Sequence, residues 1–218
     1  MSLKIALTKG RVESSVIPLL ESAGIDCQPL KNKQRRLIVH TPDQRFEFVL
    51  AKGPDVTTYL NAGAVDIGIV GSDILVEQQN DQYELLDLEV GKCQFVLAST
   101  ADFNADSPKR KIIGSKYPMI TKKYFQSIGQ DVEIVKIEGS VELAPLIGLA
   151  DAIVDIRESG RTLRDNHLKV FDYLDKVSTR LVVNRMSLKQ HPQEIFDLVD
   201  RLKAAVAAKR EQQKEIIR

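Results

Sequence analysis

The stretch Asp155 to Leu163, DIRESGRTL, holds the groups a phosphate would need. The apolar run Ala152 to Ile156 reads as a buried strand, with Asp155 near its end. Ser159 and Gly160 make a loop, and Thr162 stands near a helix start. A bound phosphate needs several donors converging on one point. Backbone N–H groups at a helix N-terminus supply them, glycine allows close approach, and Ser/Thr hydroxyls add more. Arg161 could add charge. An ordinary strand-to-helix turn with Ser or Thr as N-cap uses the same residue types, so the loop alone leaves both readings open. Asp155 favours the first. Beside a phosphate a carboxylate repels unless it faces something else, and a sugar hydroxyl is its natural partner. Glu142, in the first turn of the preceding helix, could reach the same sugar. Taken alone, it is equally an acid placed to suit the helix dipole.

A second group is basic. Lys9-Gly10-Arg11 follows the first strand and precedes a helix. Lys52, in AKGPD, stands in the same place after the strand Phe46 to Ala51, and Arg35 or Arg36 stands ahead of another strand. Two cations around a glycine at a strand's carboxyl end can hold polyphosphate, or can be a solvated loop. The net charge is +1. No global field therefore draws nucleic acid or an anionic membrane, and an anion site must be local. His40, His167 and His191 are scattered and show no metal spacing. Cys27 and Cys93 fit no metal-ligand pattern and no disulfide framework, so both read as reduced, partly buried thiols. No Walker loop and no GxGxxG occurs. The N-terminal apolar stretch is too short for a signal peptide, and no run reaches membrane-spanning length. A cytoplasmic protein is expected.

Strand-like runs alternate with helix-like stretches, which predicts an α/β protein with a largely parallel sheet. Lys4 to Leu7 is the first strand, followed by a helix to about Ala23 with Gly24 as its stop. Pro18 either kinks that helix or marks its real start. Arg36 to His40 and Phe46 to Ala51 pair through a turn at Pro42 and Asp43. Val56 to Ala62 is a helix, Asp66 to Val70 a buried strand, and Asp73 a candidate N-cap. Further on come strands Cys93 to Ala98, Lys111 to Gly114, Val132 to Ile137, Ala152 to Ile156 and Arg180 to Val183. Helices are expected at Tyr117 to Ile128 and Val141 to Leu149. His191 or Pro192 opens the last helix, whose polar tail, Lys209 to Arg218, is expected to fray or to contact a partner.

One internal echo bears on domain organisation. Aligning VTTYLNAGAVDIGIV (from Val56) with VELAPLIGLADAIVD (from Val141) puts Gly63 on Gly148, Asp66 on Asp151 and Ile69 on Val154. Each copy has a helix, a glycine stop, an aspartate and a buried strand. Two similarly built lobes with a ligand cleft between them are expected. Lobe I would be 1–92 plus 181–218 and lobe II 93–180, with crossovers near Cys93 to Ala98 and Arg180 to Val183.

Together these residues resemble the ATP phosphoribosyltransferase family of histidine biosynthesis. The family pattern stands here as Glu142, Gly148, Ala150-Asp151, Asp155 and Ser159-Gly160-Arg161-Thr162-Leu163. ALTKGR, VTTYLNAGAVDIGIVGSDIL, Lys116-Tyr117-Pro118 and GSVELAPLIGLAD are also similar, so the likeness covers nearly the whole chain. It implies a two-lobed, periplasmic-binding-protein-like (type II) fold. It implies attack of the ATP adenine N1 on C1 of phosphoribosyl pyrophosphate (PRPP), with pyrophosphate leaving as its Mg²⁺ complex. Ser159, Gly160, Arg161 and Thr162 would hold the 5′-phosphate, and Glu142 and Asp155 the ribose hydroxyls. Lys9, Gly10, Arg11 and Arg35 would serve ATP, and Lys9, Arg11 and Lys52 the chemistry at the pyrophosphate. Many relatives carry Arg where Lys52 stands; lysine keeps the charge but loses the bidentate fork. The metal's ligands are not implied. Adenine N1 has its own lone pair, so no general base is required. The chain stops soon after its closing helix, which resembles the family's short form. That form works with a separate regulatory subunit similar to histidyl-tRNA synthetase.

The alternative is a non-catalytic cytoplasmic small-anion binder of the same two-lobed fold. A regulator's effector domain would be preceded by a helix-turn-helix, and none is seen. Other phosphoribosyltransferases place two adjacent acidic residues before the phosphate loop, whereas Ile156 follows Asp155 here.

Overall fold

The computed structural model describes residues 2–79 and 82–216. In chain order the first elements are β1 (Leu3–Thr8), α1 (Arg11–Ser22), α2 (Gln28–Lys31), β2 (Ile38–His40), β3 (Phe46–Ala51), α3 (Gly53–Asn61), β4 (Ile67–Gly71), α4 (Ser72–Glu77) and β5 (Tyr83–Asp87). Then come β6 (Cys93–Ser99), β7 (Lys111–Ser115), α5 (Pro118–Ser127), β8 (Val132–Lys136), α6 (Leu143–Leu146), β9 (Ala152–Arg157), α7 (Arg161–Asp165) and β10 (Lys169–Val177). The last are β11 (Thr179–Val183), α8 (Arg185–Gln190) and α9 (Pro192–Ile216). Two compact units result: Met1–Leu75 with Gln79–Gly91 and Ser178–Arg218, and Val76–Gln78 with Lys92–Val177.

The first unit holds a sheet of order β2-β3-β1-β4-β11-β5. β1 is parallel to both its neighbours, β3 and β4, while β2, β11 and β5 pair antiparallel. The expected largely parallel sheet is therefore mixed. The β2–β3 turn is too short for a parallel crossover, and antiparallel pairing is what short turns permit. Leu3, Ile5 and Leu7 of β1 pack with Val16 and Leu20 of α1 and Leu198 and Leu202 of α9. Ala6, between them in sequence, packs instead with Val56 and Leu60 of α3. The period of two along the strand thus serves two cores. The chain leaving β1 turns to one face and the chain leaving β3 to the other. Their carboxyl ends, paired at Thr8 and Ala51, flank a switch point.

The second unit holds a sheet of order β10-β6-β9-β7-β8. Here β7 is parallel to both neighbours, while β6 is antiparallel to β9 and β10. Val96, Ala98 and Ile153 share a core with Ala144 of α6 and Leu163 of α7. Phe95, next to Val96 and so on the other face, meets the Tyr117 ring edge-on at 4.9 Å at the start of α5. The β7 and β9 carboxyl ends therefore flank a second switch point.

The internal echo has a physical basis. The Asp66 carboxylate accepts the Lys4 N–H at 2.8 Å while its own N–H donates to Lys4 O at 2.9 Å. Asp151 does the same to Ile112, at 2.7 and 2.8 Å. Each aspartate clamps the start of the neighbouring parallel strand.

Several boundaries differ from expectation. Pro18 lies inside α1 rather than opening it. Both Pro18 and Ser14, whose carbonyl it leaves without a helical donor, are exposed, where water can compensate. β2 starts at Ile38 instead of Arg36, and α3 at Gly53 instead of Val56, with Pro54 in its first turn. α6 is only four residues long. Asp73 is the second residue of α4, past the cap position. The final helical stretch is two helices: Asn184 caps α8 by accepting from Met186 N and Ser187 N at 2.8 and 3.2 Å, and Pro192 opens α9. The tail is helical to Ile216 instead of frayed; Ile217 and Arg218 lie outside the described residues. Strands β5 and β10 were not expected at all.

Candidate active site

In the first unit, Lys9 N donates to Ala51 O at 2.8 Å, so the loops after β1 and β3 leave the sheet side by side. This places Lys9 and Lys52 at neighbouring strand ends, both exposed. Lys52 is the N-cap of α3. Gly10 is the N-cap of α1 with φ 83 and ψ -127, a conformation open essentially to glycine alone. Its N–H donates to Glu13 Oε2 at 3.3 Å, and Arg11 is the first residue of the helix. Because β2 runs antiparallel to β3, the segment ahead of β2 lies at the same sheet edge, bringing exposed Arg35 there. Arg36, its alternative, donates to Lys33 O and Asn32 O, both at 3.3 Å. The basic strand ends are thus gathered on one edge. The sequence reading missed Glu13 and Lys33. Buried Glu13 pairs with Lys33 and ties that segment to the first turn of α1. A buried acid four residues after a lysine loop, followed by a lysine-rich turn, was the available signal.

In the second unit, β9 ends in the candidate phosphate loop. Gly160 is the N-cap of α7 and left-handed, with φ 70 and ψ 13. Ser159 Oγ accepts the Arg161 N–H at 3.3 Å, and Arg164 donates to Ser159 O at 3.0 Å. Ser159 and Thr162 are exposed. The Arg161 side chain points outward, 82% exposed, and pairs with Asp165 at 3.4 Å. Asp155 is half-buried on the strand. Burial pushes its carboxyl up to about 6; the Ile156 N–H opposes this, the charge of Glu142 adds to it and Lys116 opposes it. Glu142, the N-cap residue of α6, and Lys116, after β7, therefore sit in the same electrostatic neighbourhood. Ser115 orients the Lys116 loop: its hydroxyl donates to Val154 O at 2.7 Å and accepts from Tyr117 N at 3.0 Å. Glu142, Asp155, Ser159, Gly160 and Thr162 thus belong to one edge of one sheet. Lys116 and Arg157 join them, although neither was given a site role from the sequence.

A cavity of about 400 Å³ opens elsewhere in this unit, lined in part by Thr100, Lys111 and Asp151. It lies at the amino ends of β7 and β9, away from the loop. Two of its charged groups already have partners: Lys111 donates to Ser107 O at 3.0 Å, and Asp151 holds Ile112. Both cysteines are buried, and burial raises the Cys27 thiol to about 12, so it is inert as a nucleophile.

Residues 52–204 match the family model described as HisG: ATP phosphoribosyltransferase. The ATP phosphoribosyltransferase of Lactiplantibacillus plantarum is 71% identical over 204 residues, covering 94% of each chain. The chain belongs to the ATP phosphoribosyltransferase family. Enzymes of this family carry out the first step of histidine biosynthesis. A solved member, the "ATP phosphoribosyl transferase (HisG:HisZ) complex from Thermotoga maritima", is 31% identical. It superposes with a TM-score of 0.78 over 94% of this chain and 99% of that one. The periplasmic aliphatic sulphonate-binding protein SsuA of Escherichia coli, 15% identical, has a TM-score of 0.61 over 98% of this chain and 75% of its own. At that identity only the fold is shared. The chain therefore has the periplasmic-binding-protein-like α/β fold the resemblance implied. Among its described residues no helix is long and apolar enough to cross a membrane.

Proposed function

We propose that the chain transfers the phosphoribosyl group of PRPP to N1 of ATP, releasing pyrophosphate. The observation that carries this reading is the β9 loop: a left-handed Gly160 opens a helix turn beside a carboxylate that burial holds near pH 6. In this reading Ser159, Gly160, Arg161 and Thr162 receive the 5′-phosphate. Backbone amides and hydroxyls serve there; the Arg161 side chain turns outward to Asp165. Glu142 and Asp155 receive the ribose hydroxyls. In the first unit, Lys9, Gly10, Arg11 and Arg35 serve ATP. Lys9, Arg11 and Lys52 stabilise charge growing on the departing pyrophosphate, a role that needs fixed cations and no covalent step.

Among the described residues no cluster of three or more His, Cys, Asp or Glu could cage a resident metal. Mg²⁺ typically binds through substrate phosphates plus one or two carboxylates, and Glu142 with Asp155 offers two. Carried on PRPP, it would neutralise leaving-group charge. The reading extends to the cytoplasm and to a histidyl-tRNA-synthetase-like regulatory subunit. The Thermotoga maritima relative, solved as a HisG:HisZ complex, supports that partner.

The test is direct. Purified chain with ATP, PRPP and Mg²⁺ should form an N1-substituted adenine nucleotide, followed by its ultraviolet absorbance, with and without the regulatory subunit. No product even with that subunit present would sink the proposal.

A further inference from the structure

Arginine 157 leaves β9 two residues after Asp155, and so points to the same face of the sheet. Its guanidinium donates to the Tyr173 hydroxyl at 2.6 Å and stands 5.6 Å from that ring's centroid. Tyr173 belongs to β10, which reaches β9 only across β6. The registers Asp155–Val96 and Val96–Tyr173 put it on the same face. The other side of the guanidinium lies against the loop. A Cβ built on Gly160 would come within 2.5 Å of Arg157 Nε and 3.2 Å of Nη2. Arg157 is therefore wedged between an aromatic latch and the left-handed glycine of the phosphate loop. Arg161, the arginine inside the loop, turns outward to Asp165 instead.

We infer that Arg157, latched by Tyr173, is a positioning residue of the phosphate site. It holds the Gly160 turn in shape and sets a fixed positive charge behind the loop. The physical case rests on three points. A planar guanidinium can stack on a ring and hydrogen-bond in its plane at once, which an ammonium cannot. The latch, together with the Gly160 turn on its other side, restricts the rotamer freedom that would otherwise blur the charge. A half-buried cation close to a phosphate is screened less than an exposed one such as Arg161. This inference rests on the proposed assignment of the loop to the 5′-phosphate.

Calorimetric titration of the full chain tests it, with PRPP, with ATP, and with ribose 5-phosphate as a probe of the phosphate contact alone. Arg157→Gln should weaken PRPP and ribose 5-phosphate binding at least tenfold, flatten the salt dependence of both, and leave ATP binding within twofold. Arg157→Lys should recover part of the affinity and most of the salt dependence. Tyr173→Phe, which keeps the ring but removes the hydroxyl, should cost about threefold on the same two ligands. Thr162→Ala serves as the control for the loop assignment. If Thr162→Ala weakens PRPP binding while Arg157→Gln stays within twofold of the parent, the Arg157 inference is overturned and the loop assignment stands. If Thr162→Ala also leaves PRPP binding intact, the loop assignment itself fails. An Arg157→Gln loss with unchanged salt dependence would reduce the residue to a packing role and equally overturn the inference.

Discussion

The carboxyl end of β1 delivers Lys9 and that of β3 delivers Lys52; β9 instead delivers Asp155, Arg157 and a serine-glycine loop. Both sheets place a central strand parallel to its neighbours, send helices to opposite faces and start a parallel strand with an aspartate clamp. The scaffold is shared, and the chemistry differs. In the first unit exposed cations stand on a loop braced by the Glu13 carboxylate. In the second, most of the donors are backbone and hydroxyl groups, and the sheet contributes a carboxylate. The comparison teaches that an α/β edge fixes where a ligand can sit, while a handful of loop residues fixes which part of it. In the proposed reading the first edge takes the polyanion and the second the sugar phosphate.

The strongest way to break the comparison is a crossed pair of glycine substitutions. Both Gly10 and Gly160 take positive φ values, which cost a side chain roughly 1–3 kcal/mol. Gly160→Val adds the clash with Arg157, whereas nothing lies within 4 Å of a Cβ on Gly10. Gly160→Val should lower PRPP affinity by about a hundredfold or more and spare ATP binding. Gly10→Ala should lower ATP affinity about tenfold and spare PRPP. Equal losses of both ligands in either variant would show that the two edges do not divide the substrate between them.

A second test uses the Asp155 carboxyl, raised from 3.8 to about 6 chiefly by burial. Its folded-state value exceeds the unfolded one. The stability it contributes is therefore fully present below about pH 3.8 and lost as pH rises through about 6. At neutral pH the charged group costs the fold on the order of 3 kcal/mol. Asp155→Asn should raise the denaturation midpoint at pH 7.5, with the gain disappearing near pH 4, while PRPP binding falls at least tenfold. Denaturant titrations across this pH range decide it. A variant less stable than the parent at pH 7.5 would mean the carboxylate is a structural hydrogen-bond partner rather than a strained ligand.

A smaller effect separates the two clamps. Asp66 holds Lys4 and also accepts the Ser187 hydroxyl at 2.7 Å, so it ties α8 to the sheet. The Asp151 carboxylate holds Ile112. Asp66→Ala should cost about 2–3 kcal/mol and Asp151→Ala about 1–2, measured by urea unfolding. The reverse order would refute the view that the first clamp does more.

How much of this was legible in the sequence follows the same physics. The echo was readable because a helix stop, a clamp aspartate and a buried strand each leave a mark at fixed spacing. The strands flanking the site were readable because each carries a run of buried apolar residues, such as Ile5 to Leu7 in β1 and Ala152 to Val154 in β9. β10, KVFDYLDKV, was invisible. It is an edge strand with two register irregularities and mostly exposed residues, so neither an apolar run nor clean alternation survives. β5 is likewise an edge, with Tyr83 and Glu84 exposed. The site was read through its glycine and hydroxyls, because backbone requirements select residue type. Arg157 was missed because its role depends on Tyr173, a residue on that unseen edge strand.

Lys52 gives the finest test. Its backbone is extended, with φ -74 and ψ 153, so any side chain fits the cap position and substitution there reads out chemistry rather than folding. Lys52→Arg keeps the charge and adds a planar fork that can grip two pyrophosphate oxygens at once. It should leave turnover within about threefold of the parent and change stability by less than about 0.5 kcal/mol. Lys52→Ala should lower kcat by about tenfold or more with unchanged unfolding, as expected for a cation that acts on developing negative charge. If both variants keep full activity, the cation at the end of β3 is a solvated cap. The polyphosphate role of this edge would then rest on Lys9 and Arg11, and the contrast between the two sheets would narrow to a single loop on each.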